Sequence, residues 1–325
     1  MAYYSIELCA GAGGQALGLE KAGFKNTELI EIDSNACNTL RFNRPNWKII
    51  EGDIRQYSPK PSVEIDLLAG GVPCPPFSVA GKQLGQKDER DLFPEALRLV
   101  SELKPKAVML ENVRGLLDSS FDEYRAKIIR TLKRLDYAVN WRLLNASDYG
   151  VSQLRPRVVF IAIQKKIAPY FSWPNPYDKN PPTVGELIYD LMAKNNWKDA
   201  ALWKKNACDI APTIVGGSKK HGGPDLGPTR ARKAWASLGV DGKGIANDSP
   251  EKDFEGMPRL TIEMVARIQG FPADWTFIGS KTNKYRQIGN AFPPPIAEAV
   301  GIQIRKALDM CSSFIEPTIP MRKLA

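Results

Sequence analysis

Cys74 stands where a thiol would have chemistry to do. It lies in Gly70-Gly71-Val72-Pro73-Cys74-Pro75-Pro76-Phe77-Ser78, directly after an apolar run, 66–69, that reads as a strand. The carboxyl edge of a strand is where open α/β sheets carry their ligand crevice. Three prolines restrict the backbone around the cysteine, so its sulfur is aimed rather than mobile. The next apolar run ends in Glu111-Asn112-Val113, which puts a carboxyl on the same edge. Gln153-x-Arg155-x-Arg157 then leads into a strand of Val and Ile, and alternation sets both arginines on one face. Strands adjacent in this way can bring the thiol and the carboxyl to opposite sides of one substrate ring. The chain has a single histidine, His221, so schemes needing two histidines or a histidine-rich metal cage are excluded. Its five cysteines (9, 37, 74, 208 and 311) include no CxxC pair, which argues against a disulfide framework or a zinc site. No metal is expected.

A second constellation lies at the amino end. Ser5-Ile6-Glu7-Leu8-Cys9-Ala10-Gly11-Ala12-Gly13-Gly14 reads as strand, glycine turn and helix start, and Gly11-x-Gly13-x-x-Ala16 satisfies a dinucleotide fingerprint. Small residues there let a ligand approach the backbone at a helix N-terminus. Glu31, with Asp33 close by, ends the second strand, where a carboxylate can accept hydrogen bonds from a ribose. Gly52-Asp53-Ile54 offers another carboxylate beside an apolar side chain suited to an adenine. Together these features indicate a nucleoside cofactor. NAD and S-adenosylmethionine are equally allowed at this point.

The elements that must hold these groups are legible in the first 165 residues, where short apolar runs alternate with helical patterns. Such alternation is the signature of βα units and a mostly parallel sheet. Strands are predicted over 4–9, 28–32, 47–50, 66–69, 107–110, 139–144 and 158–163, and helices over 14–22, 36–42, 92–103 and 122–135. Proline and aromatic punctuation over 170–182 marks a boundary. The sequence beyond it reads as irregular to about residue 279. A helical stretch over 296–308 is apolar enough to return and pack on the first domain. The 325 residues allow two domains, assigned as 1–175 plus 280–325 and 176–279. With 43% hydrophobic and 25% charged residues, a disordered or fibrous chain is excluded. Neither a run of about 18 apolar residues nor the pattern of a signal peptide is present, so a cytoplasmic protein is expected. The net charge of +9 weakly favours a polyanionic partner.

These blocks, in this order, resemble the cytosine-5 DNA methyltransferase family of the bacterial modification type. The resemblance rests on ELCAGAGG (7–14), EIDSNACNTL (31–40), GDI (52–54), GGVPCPPFS (70–78), ENV (111–113), QLRPR (153–157), RLTIEMVARIQGFPADW (259–275) and YRQIGNAFPPPIAEAVG (285–301). It implies an α/β fold, with a Rossmann-like, mostly parallel sheet of the S-adenosylmethionine-dependent methyltransferase type and a smaller irregular target-recognition domain. It implies that Cys74 attacks C6 of cytosine, turning the ring into an enamine whose C5 takes a methyl group. Glu111 would protonate or hydrogen-bond N3, and Arg155 and Arg157 would hold O2 and the adjoining backbone. The cofactor positions carried over are Cys9, Ala10, Gly11, Gly13, Gly14, Glu31, Ile32, Asp53, Ile54, Pro73 and Asn290. The product would be S-adenosylhomocysteine. Cys9 departs from the family, which usually places Phe there against the cofactor.

A target cytosine must leave the stack to be attacked. The segment 78–91 resembles the loop that closes over DNA in this family, which brings Ser78, Lys82, Gln83 and Arg90 to the DNA. Thr213-Ile214 resembles a dipeptide placed near the flipped base. Lys219, Lys220, Arg230 and Arg232 are further DNA contacts in the recognition region. The implied partner is double-stranded DNA, with no membrane. The enzyme would be a monomer, associated with the nucleoid through DNA, and a companion restriction endonuclease for the same site is allowed. Competing readings are an RNA (tRNA) cytosine methyltransferase, a non-catalytic DNA-binding regulator of the same fold, and a nicotinamide dehydrogenase. The last leaves PCPPFS and ENV unexplained. Residues 198–233 carry eight Lys and Arg against three Asp. Neutralising Lys219, Lys220, Arg230, Arg232 and Lys233 together is therefore expected to weaken DNA binding and flatten its salt dependence, by up to about one unit of log–log slope for each phosphate no longer neutralised. Binding isotherms across a salt series check this, and an unchanged affinity would overturn the charge map.

Overall fold

The computed structural model describes residues 2–73, 91–216 and 224–315. β1 (Tyr3–Leu8) passes through a glycine turn into α1 (Gly14–Lys21), and β2 (Phe24–Glu31) leads into α2 (Ser34–Asn43). β3 (Ile49–Glu51), β4 (Leu67–Gly70), α3 (Phe93–Leu103), β5 (Ala107–Val113), α4 (Asp122–Arg134), β6 (Tyr137–Asn145) and β7 (Pro156–Gln164) follow. The strands form one seven-stranded sheet in the order β3-β2-β1-β4-β5-β7-β6. All neighbours are parallel except β7, which runs antiparallel to both β5 and β6. The seven predicted strands are all present, each within a few residues. Strand order reverses between β1 and β4, and that reversal opens a crevice at their carboxyl ends. The glycine turn leaves one of these ends and the Pro73 segment leaves the other.

Alternation along the strands sorts the core. Leu68, Val108, Leu110, Phe160 and Ala162 face the helices α3 and α4. Leu67, Ala69, Ala107, Met109, Val159 and Ile161 face the other way, onto the C-terminal helix α10 (Pro294–Ile315). The caps follow local chemistry. Asp33 accepts from the N–H groups of Asn35 and Ala36 to start α2, while Gly13 starts α1 from a left-handed conformation, φ 86°.

The region read as irregular contains α5 (Val184–Met192), α6 (Ala200–Asn206), α7 (Thr229–Ala236) and α8 (Ile262–Ile268), followed by α9 (Lys281–Asn290). These helices run to only seven to ten residues. That is too short for a 3.6-residue period to stand out from noise, and packing rather than propensity holds them. Val184, Ile188, Trp203, Trp235, Val265, Phe271 and Trp275 join Ala16, Leu17, Leu29 and Leu40 in one hydrophobic cluster.

α10 (Pro294–Ile315) returns to the sheet as expected, and is longer than the sequence suggested. It lies against α1 so closely that a Cβ on Gly18 would sit 2.4 Å from the Pro294 carbonyl oxygen and 2.5 Å from Ala297 Cβ. Gly18→Val is therefore expected to lower stability by about 1–3 kcal/mol through overpacking, read as a reduced urea midpoint. An unchanged midpoint would show that the two helices separate freely.

Candidate active site

Three cavities meet at the crevice. The first, about 220 Å³, lies under the glycine turn, between Cys9, Ala10, Gly11 and Gly14 on one side and Asn283, Arg286, Gln287 and Asn290 of α9 on the other. Glu7, Gln15, Glu31, Gly71 and Glu111 complete its wall. The second, about 430 Å³, is lined by Cys9, Glu31, Ile32, Asp53, Ile54, Pro73 and Leu92. The third, about 440 Å³, is lined by Gly71, Pro73, Glu111, Asn112, Arg157, Thr213, Val215, Gly289 and Asn290. Cys9 and Glu31 join the first two cavities, while Gly71, Glu111 and Asn290 join the first to the third. Pro73, the neighbour of Cys74, borders the second and third.

Glu31 shapes the glycine turn from beneath. Its carboxylate accepts from Gly11 N at 2.7 Å, Asp33 N at 2.8 Å and Ile32 N at 2.9 Å. Burial pushes this carboxyl up, and the three N–H groups oppose the shift. The turn places three successive odd positions, Cys9 (φ 51°), Gly11 (φ 53°) and Gly13 (φ 86°), in the left-handed region. Nothing lies within 4 Å of where a Gly11 Cβ would point, so the turn faces open space. The Cys9 thiol is pushed up to about 12, first by burial and then by the charges of Glu31 and Asp53, so it stays protonated and apolar. Asp53 accepts from Arg55 N–H and pairs with its guanidinium at 2.9 Å, which fixes the carboxylate beside Ile54. Ile32 is left 67% exposed on the rim.

On the other side Glu111 and Arg157 form an ion pair, Nε to Oε1 at 2.7 Å, with both side chains largely buried. Burial pushes the Glu111 carboxyl up, while the guanidiniums of Arg157 and Arg155 pull it back. Asn112 ties this corner to the Cys74 segment by donating to the Val72 carbonyl at 2.9 Å. The sequence reading set Arg155 beside Arg157 as a base-holding group. The structure separates them, because Arg155 does not line the cavities. It is fully buried, with its guanidinium donating to the carbonyls of Ile214 at 2.6 Å, Gly289 at 2.7 Å and Ala291 at 3.0 Å. The strand β7 begins at Pro156, so the alternation assumed for Arg155 does not extend back to it.

Of the cofactor positions named from the sequence, all but Gly13 line one of these cavities. Thr213 borders the third cavity and donates to the Leu154 carbonyl. Arg230 and Arg232 lie on α7, the first exposed and the second half-buried. Cys74, Ser78, Lys82, Gln83, Arg90, Lys219 and Lys220 lie outside the described residues. Missed from sequence were Glu7, Gln15 and Leu92, together with Asn283, Arg286 and Gln287. The last three share a face of α9 with Asn290 at i, i+3 and i+4 spacing, a signal readable in the string itself.

An open α/β sheet with an antiparallel seventh strand, a glycine-turn crevice at its reversal point and a Glu–Arg pair beside it defines the Rossmann-like methyltransferase class. Residues 3–306 match the family described as C-5 cytosine-specific DNA methylase, and this chain belongs to that family. It is a DNA (cytosine-5-)-methyltransferase. It is 58% identical to the Type II methyltransferase M.NgoMIV of Neisseria gonorrhoeae over 95% of this chain and 99% of that protein. It is 57% identical to the Type II methyltransferase M.NaeI of Lentzea aerocolonigenes over 94% and 75%. A solved structure of a prophage-encoded protein of Escherichia coli, described as a DNA modification methyltransferase, aligns at a TM-score of 0.67. The two share 25% identity over 95% of this chain and all of that one.

Arg155→Met would take the guanidinium donor from the buried carbonyls of Ile214 and Gly289 and leave that of Ala291 with Gln269 alone. It is expected to cost about 3–5 kcal/mol in urea unfolding. A loss below about 1 kcal/mol would mean the guanidinium is not a structural tie.

Proposed function

We propose that this chain transfers a methyl group from S-adenosylmethionine to C5 of a cytosine flipped out of a specific short duplex DNA sequence, through a covalent Cys74–C6 adduct. The observation that carries the reading is the continuity of the crevice. The cavity under the glycine turn and the cavity beside Asp53 meet the cavity lined by Glu111 and Arg157 at Gly71 and at Pro73 respectively, in the stem of Cys74.

The residues present fit the cofactor. Glu31 and Asp53 offer carboxylate oxygens where ribose and adenine edges would sit, and Ile54 and Leu92 supply an apolar slot. Gly11 leaves the backbone accessible, and buried acceptor atoms of Glu7 and Gln15 stand without partners among the described residues in the same wall. When bound, S-adenosylmethionine supplies an electrophilic methyl group on a sulfonium. Cys74 supplies the thiolate that converts the ring to an enamine. Glu111, with its proton affinity raised by burial, holds or donates a proton at N3 as charge builds on the ring. Arg157 fixes that carboxyl and faces the same cavity, where its cation stabilises negative charge. Arg155 acts behind the site by holding the Ile214 segment and the end of α9 to the sheet. The antiparallel β7 matters here, because it delivers Arg157 to the register position opposite Val113, two residues from Glu111.

Bisulfite sequencing of DNA from cells expressing the chain locates the methylated site. A duplex carrying 5-fluorocytosine at that position is then expected to form a covalent complex that survives denaturation. Cys74→Ser should abolish the complex, and Glu111→Gln should slow methyl transfer by about 10²–10⁴-fold. A complex formed by Cys74→Ser would overturn the nucleophile, and methylation of tRNA in place of duplex DNA would overturn the substrate.

A further inference from the structure

Glu7 is an acid in the crevice that the reaction as proposed leaves unused. It projects from β1, is 1% exposed and lines the first cavity. The Ala16 N–H donates to its carboxyl, while its Oε2 is buried with no partner among the described residues. Gln15, at the start of α1, repeats the pattern. Its amide donates to the Met109 carbonyl at 3.4 Å, and its Oε1 is buried without a partner in the same cavity wall. Buried acceptors are costly when left open, so two of them on one wall call for a ligand that brings donors or positive charge.

The titratable groups facing this cavity come from every surrounding element. They are Cys9 at the end of β1, Glu31 of β2, Asp33 heading α2, Glu111 of β5 and Arg286 of α9. Among the described residues, the stretch after β4 contributes Gly71, and the approach to α10 contributes Ala291 and Phe292. The other acids already have counterparts. Glu31 has three backbone N–H groups, Asp33 caps α2, and Glu111 has Arg157. Burial pushes the Glu7 carboxyl well above the usual carboxylate range, and the charge of Glu31 adds to the push against a single backbone hydrogen bond.

We propose that Glu7 is a charge-compensating group for the methyl donor, holding a proton in the free protein and releasing it to solvent when a sulfonium cation enters the cavity. The inference rests on the sulfonium cofactor of the proposed function. A cation and a carboxylate confined in one poorly solvated cavity stabilise each other, so the cation lowers the proton affinity of Glu7. The thioether product has lost that positive charge and leaves the proton in place. The two cofactor forms differ by one methyl group and one charge, and Glu7 tells them apart by the charge. Donor binding, and the methyl transfer that removes the charge, are thereby coupled to the proton on Glu7.

The pH dependence follows in sign. Glu7 is protonated in the free protein over a range extending above that of ordinary carboxyls and ionised in the sulfonium complex. Sulfonium affinity therefore rises with pH through the interval between the two pKa values, by up to tenfold per unit, and levels off above it. Thioether affinity stays flat or falls over the same interval.

Isothermal titration calorimetry of the full chain without DNA, in two buffers of different ionisation enthalpy, tests this directly. S-adenosylmethionine is expected to release up to about one proton at a pH within the interval, and S-adenosylhomocysteine about none. Glu7→Gln should bind the product within about threefold of wild type. It should release no proton with either compound, and its preference for the sulfonium should fall about tenfold, or 1.4 kcal/mol. Equal proton release for the two compounds by the wild-type protein across the pH series, or an unchanged preference in Glu7→Gln, would overturn the assignment. The wild-type proton counts decide the matter even if the variant fails to fold. A wild-type chain that bound neither compound would overturn the cofactor itself, an outcome distinct from the failure of Glu7 to titrate.

Discussion

The buried guanidinium of Arg155 is the tie on which the rest of the structure depends. It lies just before β7, yet its hydrogen bonds go to the carbonyls of Ile214, Gly289 and Ala291, which belong to segments far along the chain. Gln153 and Gln269 extend the same knot. Gln153 accepts from Ile214 N at 2.9 Å and donates to Gln269 Oε1, while Gln269 donates to the Ala291 carbonyl at 2.7 Å. Burial works against a charge in this position, and the carbonyl dipoles answer it. The third cavity exists because this knot holds the 213–215 segment over Glu111 and Arg157.

The active-site acids then divide by their surroundings. Glu31, Glu111 and Glu7 are all withdrawn from water, and burial raises each of them. Their partners differ: backbone N–H groups for Glu31, a guanidinium for Glu111, one N–H for Glu7. Each kind of partner suits a separate task. N–H groups shape a turn and a guanidinium fixes the direction of a carboxyl, and in the proposed reaction the nearly bare carboxyl is the one left to respond to an arriving charge.

Much of this was legible in the string. The sheet was, because alternating βα patterns over 165 residues leave few alternatives, and the reversal between β1 and β4 explains why the glycine turn and the Cys74 stem converge. Glu111 and Arg157 could be placed at strand ends, but their pairing depends on β7 running antiparallel to β5, which nothing in the string marks. Arg155 could not be told from Arg157 by spacing, since its partners are main-chain carbonyls more than fifty residues away and leave no mark on side-chain identity. The short helices of the middle region were hidden for a related reason. Thr183-x-x-Glu186 is a capping box readable in the sequence, yet a single cap without a long periodic stretch does not announce a helix. Glu7 was passed over because an acid inside an apolar strand looks like an exposed residue until the fold encloses it.

The contact between Gly216 and Gly289 has a consequence of another kind. A Cβ on Gly289 would lie 2.4 Å from Gly216 N, and a Cβ on Gly216 would lie 2.4 Å from Asn290 Oδ1, so two backbones touch with nothing between them. The Arg155 bonds at this junction likewise end on carbonyl oxygens. On the 213–216 side the seam is written in main-chain atoms, and its side-chain donors and acceptors come from Gln153, Arg155 and Gln269 across it. Under the proposed function, the side chains of the 176–279 region can therefore change one by one while the joint to the sheet keeps the same main-chain handle. Diversity of recognised sequence and constancy of chemistry become two sides of one joint.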